Sequence, residues 1–159
     1  MRIYSVLTLL ALPATVAMGC GKADNDLWGS IDESFPLNFD RVEIFKQNLA
    51  LRIEYIKEIQ GGEDKVCKVV VNTGNVKIKN GTSLEEKRFA DFTVTLERVA
   101  ATGGNFPAIS GGTIQFDTFE FKEGGTIDGD FSVVFEEVGG RQPNMFGNFD
   151  RKVKIVSTE

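Results

Sequence analysis

Histidine is absent from all 159 residues. That removes the usual general base near neutral pH and the commonest zinc ligand, so Ser-His-Asp hydrolases and His-ligated metal enzymes are excluded. Tryptophan occurs once and tyrosine twice, against 13 phenylalanines. Rings with a polar edge, the kind that present themselves to ligands, are scarce, while rings that fill an interior are plentiful. Basic residues number 18 against 23 acidic ones. A net negative chain repels phosphate backbones and anionic headgroups, which argues against nucleic acid and against an electrostatic membrane patch. No serine or cysteine has a base beside it, and no glycine-rich phosphate loop precedes a helix. What is present is ordinary for one globular domain: 42% hydrophobic and 26% charged residues in a length that holds a single core.

The first residues have a different composition. Residues 3–21 carry no charge, Arg2 stands before them and Lys22 after. An apolar run from Ile3 to Val16, then Ala17 and Gly19 before Cys20, is the layout of a secretory signal, in which a short helix is followed by an extended, small-residue cleavage site. Three outcomes fit: lipidation of Cys20, plain cleavage near it, or a retained anchor, since the uncharged stretch could just span a bilayer. Lipidation is the expectation, with residues 1–19 as the signal, 20–26 as a flexible tether of small and polar residues, and 27–159 as one β domain. Removing 1–19 discards only Arg2 among the charges and leaves 17 basic against 23 acidic residues, a net −6. Cys67 is then a free thiol, expected to be buried in the strand Lys65-Val66-Cys67-Lys68-Val69; a Cys20–Cys67 disulfide is open only without lipidation.

Beyond the leader the period is two. Ile127, Gly129, Phe131, Val133 and Phe135 share one face, as do Met145, Gly147, Phe149, Val153 and Ile155, and as do Cys67, Val69 and Val71. Five Gly-Gly pairs read as turns between such runs, at 61–62, 103–104, 111–112, 124–125 and 139–140, and Asn80-Gly81 adds a hairpin signal. In Thr113–Phe121 the phase slips between Phe116 and Phe119, the mark of a bulge or of a strand buried on both faces. Residues 40–60 can be written as a helix capped by Asp40 or as two strands around Gln47-Asn48. The strands are preferred, because a helix would leave too little polar surface. Ser83 and Glu86 could cap a short helix to Asp91, a point left open. The expected fold is all-β, an antiparallel β-sandwich or small barrel of roughly eight to ten strands.

The Gly19-Cys20 leader, the paired strands from Phe39-Asp40-Arg41-Val42 to Tyr55, and the echo of Gly129-Asp130-Phe131-Ser132 in Gly147-Asn148-Phe149-Asp150 together give a resemblance. The chain resembles small bacterial exported lipoproteins of unknown function, many from myxobacteria and similar Gram-negative groups. The resemblance implies an all-β fold and supplies no catalytic residues.

Asp128 and Asp130, with Asp117 and Glu120, lack the spacing of a calcium loop and read as a solvated face, and Asp24-Asn25-Asp26 has less support still. Glu85-Glu86 and Glu136-Glu137 are adjacent pairs that point to opposite faces of a strand, so neither flanks one glycosidic bond. Trp28 and Tyr55 would make a thin sugar-stacking platform, and core packing is the preferred role for them. No catalytic residue, metal site or cofactor is expected. The expectation is an exported, non-enzymatic envelope lipoprotein, attached by acyl chains on Cys20 to the outer membrane and contacting an envelope protein through the loops 103–112 and 139–143. The alternative is a barrel that holds a small apolar ligand among the Phe rings.

Overall fold

The computed structural model describes residues 25–74, 76–86, 94–99 and 104–155, with residues 86 and 94–99 as backbone only. The leader, Cys20 and the segment 87–91 of the open helix reading therefore lie outside the described residues. Nine strands run through them: β1 Asn25–Trp28, β2 Arg41–Gln47, β3 Ala50–Ile59, β4 Gly62–Asn72, β5 Thr82–Glu86, β6 Val94–Val99, β7 Ile109–Phe119, β8 Thr126–Phe135 and β9 Asn144–Ile155. The fold is all-β, as the alternation led us to expect. Residues 40–60 form strands β2 and β3, turning through Asn48 and Leu49, and Ser83 lies in β5.

The strands follow one path, β5-β7-β8-β9-β2-β3-β4-β6, with β1 attached to β9 at the side. The path is open, with β5 and β6 at its two ends. Strand β9 belongs to both halves of it. Residues Asn144–Lys152 pair antiparallel with β8, and Phe146–Phe149 also pair with β1 on the other edge. From Val153 to Ile155 the strand pairs with β2 in parallel. The expected antiparallel arrangement is corrected at this one contact, and the connection explains it. Strand β1 runs against β9, the chain reverses once through residues 29–40, and β2 therefore returns in the direction of β9.

The two halves lie face to face around the rings. Tyr55, on β3, donates its hydroxyl to Asn148 O on β9 at 2.8 Å and meets Phe131 on β8 edge-on, with centroids 6.1 Å apart. Phe39 packs on the same Tyr55, and Phe116 joins Phe149 to Phe119. Ile44, Leu51, Ile53, Ile114, Phe116, Ile127, Phe135 and Met145 have no exposed surface. Each such side chain contributes about 1.5–3 kcal/mol by area transfer, largely offset by chain entropy.

The repeated Gly-x-Phe has a specific use. Its two copies pair in opposite directions, so Gly129 lies opposite Phe149 and Phe131 lies opposite Gly147. Each ring occupies the space over the other strand's glycine: a Cβ on Gly147 would meet the Phe131 ring, and one on Gly129 would sit 3.0 Å from the end of Phe149. Glycine is needed in both places because ring and side chain cannot share one volume.

Local expectations met varied outcomes. The phase slip in β7 is a bulge, with a register shift between Phe116 and Thr118 that sets Asp117 outside the regular pairing. Gly139 and Gly140 form a two-residue turn, both with positive φ, closed by a Val138–Arg141 bridge. Gly111-Gly112 is not a turn; it lies inside β7, paired with Val134 and Val133. Asn25 and Asp26, read as tether, are the first residues of β1 and pair with Phe149 and Asn148. Ile155 is half exposed because it ends β9 at the rim of the sheet.

Candidate functional site

The two loops singled out in the sequence meet at one end of the sandwich, and a third segment joins them there. After β1 the chain makes a single 3-10 turn, Ser30–Glu33. Ser30 fixes it to β9: its backbone N–H donates to Asn144 Oδ1 at 3.0 Å, and its Oγ accepts from the Asn144 N–H at 3.0 Å. Gly29 makes this crossing possible, since its φ is +146° and a Cβ there would strike Asn144 O. Arg141 reaches across from the glycine turn to Glu33, 2.9 Å away, but both side chains are largely exposed, so the clasp contributes little stability. Nearby, Phe35 meets Phe106 edge-on with centroids 5.6 Å apart, and Phe106 lies tilted against Phe135 at 5.5 Å. A groove of about 210 Å³ lies between these segments, lined by Ile31, Phe35, Pro107, Val138, Arg141 and Pro143 among others. The loop expected at 103–112 is shorter than that, because Ile109 to Gly112 are already in β7.

A second, wider concavity of about 520 Å³ opens beside β1 and involves Asp26, Asp32, Pro36 and Asn38. Asp32 is occupied there, its Oδ1 accepting from the Leu37 N–H at 2.6 Å.

Trp28 and Tyr55 do not form a platform. Tyr55 is fully buried, and burial pushes its phenol well above the ordinary value. Trp28 is 46% exposed on the outer face of β1 and lies against Phe146, its direct cross-strand partner, with centroids 5.8 Å apart and rings 21° from parallel. Core packing, the preferred role, holds for Tyr55 and fails for Trp28, because Leu27 takes the inward position of this short strand. Phe146 was missed. Its signal was available: it shares parity with Asn148 and Asp150, a lone ring on an otherwise polar face.

The acidic candidates are dispersed. Asp117 Oδ1 accepts from Gln115 Nε2 at 2.9 Å, and Glu120 Oε2 accepts from the Thr126 N–H at 2.9 Å. That backbone hydrogen bond holds the Glu120 carboxyl below its usual range. Asp128 pairs with Thr118 on β7 and Asp150 on β9, and Asp130 with Gln115 and Asn148. Among the described residues no group of three or more side chains is arranged to hold a metal ion. Asp24 lies outside the described residues. Glu136 and Glu137 are both exposed past the end of β8, as is Glu85 on β5. Cys67 is free and fully buried, and burial raises its thiol, so it is a packing residue and a poor nucleophile.

The outer face of the other layer carries an ionic lattice. Glu54 is only 2% exposed although it points away from the core. Arg52 Nε lies 2.7 Å from its Oε1, a close ion pair lacking the straight alignment of a hydrogen bond, and Lys65 Nζ lies 3.3 Å from Oε2. Arg52 also covers the Phe45 ring at 4.6 Å. Beside them Arg41 bridges Glu43, Glu58 and Glu63, and Lys154 reaches Glu43 at 2.8 Å. Partial burial pushes the Glu43 carboxyl up, but hydrogen bonds from Lys154 and Arg41 bring it below its ordinary value. Like charges lie directly opposite one another here, Glu43 facing Glu54 and Glu58 facing Glu63, and the cations Arg41, Arg52, Lys65 and Lys154 bridge them.

Comparison with protein-family models, with curated proteins and with solved structures finds no match to this chain. Among the described residues no helix is long and apolar enough to cross a membrane.

Proposed function

We propose that the protein is an exported module of the bacterial cell envelope, tethered to the outer membrane by acyl chains on Cys20, that binds a partner and does not catalyse. The observation that carries this reading is the junction of leader and fold. Four residues, 21–24, separate Cys20 from β1, and β1 is paired directly with β9, the strand shared by both layers. At about 3.3–3.6 Å per residue the anchor holds the sheet within ~17 Å of the lipid. The partner is an envelope protein, and it contacts the end where the turn 30–33 and the loops 104–108 and 138–143 converge. The apolar-ligand barrel has less support, because the sheet path is open and Phe116, Phe131, Phe135 and Phe149 fill its interior.

Intact mass of the protein extracted from membranes tests the tether. A mass equal to the chain from Cys20 plus acyl groups is expected, and Cys20→Ala should release the protein into the soluble fraction. An unacylated chain starting elsewhere than Cys20 would refute it.

A further inference from the structure

The outer face of the β1-β9-β8 sheet carries a feature that tethering does not use. Two adjacent rungs cross it about 7 Å apart, at two residues per rung. The first holds Trp28, Phe146 and Ser132; the second holds Asp26, Asn148 and Asp130. A tryptophan left 46% exposed on a sheet edge gives up burial that a core position would provide. Phe146 lies nearly parallel to its ring, 21° away. Beside the rings, Asp26 is exposed, and one of its oxygens accepts from the Leu27 N–H at 2.8 Å.

We propose that this face binds a neutral glycan, with Trp28 and Phe146 against the apolar side of a sugar ring and with Asp26 and Ser132 hydrogen-bonding its hydroxyl groups. The chemistry of the rungs selects that ligand class. Sugars present C–H surfaces to a flat ring and hydroxyls at its edge, where carboxylate and hydroxyl oxygens accept. Aspartates at 26, 128, 130 and 150 outnumber the nearby cations Arg151 and Lys152, so phosphate, sulfate and uronate polymers are repelled, as are anionic headgroups. The binding needs neither acyl chains nor a protein partner, so its failure would leave the tether standing.

Trp28 is the only tryptophan in the chain, so its emission reports this face alone. The purified exported protein would be titrated with cellohexaose and with chitohexaose, and separately with phosphatidylcholine vesicles. A saturable blue shift with one or both sugars, at a Kd of about 0.1–1 mM, is expected, with no shift from vesicles. Calorimetry with the same sugar should show binding weakened about tenfold or more in Trp28→Ala and in Asp26→Ala, and unchanged in Lys154→Ala on the opposite layer. Unchanged emission with both sugars would overturn the proposal. So would a shift produced by vesicles alone, or sugar binding that both face variants retain.

Discussion

Gly147→Ala adds one carbon at the point where the two strands of the repeat exchange ring and glycine. Gly147 is not among the residues with positive φ, so alanine fits its backbone, and in open space the change would stabilise the strand by about 0.5–1 kcal/mol. The space is not open. The new Cβ would meet the Phe131 ring and lie 3.0 Å from Tyr55 Oη, whose 2.8 Å bond to Asn148 O is itself worth about 1 kcal/mol. Phe131 is 3% exposed in a filled interior, so moving it costs about 1–3 kcal/mol and the net effect is destabilising. With an m-value of about 2 kcal/mol/M, the urea midpoint should fall by about 0.5–1.5 M. Phe131→Ala alone should cost about 3–5 kcal/mol. In the double variant the ring is gone and the Cβ has room, so the pair should cost about 1–3 kcal/mol less than the two single changes summed. Additivity within about 0.5 kcal/mol would refute the reciprocal packing, as would a stabilising Gly147→Ala. The sister site sets a contrast. A Cβ on Gly129 would also strike the backbone Gln115 O, which no side-chain deletion relieves, so Gly129→Ala should remain destabilising in the Phe149→Ala background.

Three further outcomes follow from buried polar and ionisable groups. Arg52→Ala should cost about 1–3 kcal/mol in urea denaturation, because it takes from the buried Glu54 carboxylate the cation nearest to it, whereas Glu54→Leu should be close to neutral; equal losses would contradict that asymmetry. Burial raises the Cys67 thiol and Tyr55 phenol above their ordinary values of 9.0 and 10.0. The unfolded chain releases these protons first as pH rises, so stability is full below about pH 9 and then declines, by up to about 1.4 kcal/mol per pH unit for each group. Urea midpoints measured from about pH 7 to 11 should show this fall, with a shallower onset in Cys67→Ala; a flat profile would count against both assignments. Trp28→Ala should cost less than about 1 kcal/mol by the same denaturation assay, since half the ring is already in water.

Strand content was readable because a period of two in β8 and β9 has one physical meaning, one face inward, and the structure buries Ile127, Phe131, Val133, Met145 and Phe149 as that period requires. The bulge at Asp117 was legible for the same reason: an extra residue shifts the parity of every position after it. Gly111-Gly112 misled because glycine also occurs inside a strand, and nothing local separates that use from a turn. The parallel β2–β9 contact had no local signature at all, since pairing between residues over a hundred positions apart depends on how the connection 29–40 reverses. Of the candidate face, Trp28 stands out in the sequence, and the parity of Phe146 marks it as a lone outward ring without saying which strand it faces. The choice of Phe146 over Tyr55 came from register across β1 and β9, which alternation within each strand leaves free.

The sharing of β9 sets the order in which the fold can close. The strand that makes the sheet's longest-range pairings comes last in chain order among the described strands, and β1, the first of them, has its partner only there. Hairpins such as β2–β3 and β7–β8 can form locally, but the two layers stay unconnected and β1 stays undocked until residues 144–155 pair. Long-range closure of this kind is slow. Docking of β1 and closure of the two layers on β9 are therefore the late steps expected in refolding, after the local hairpins.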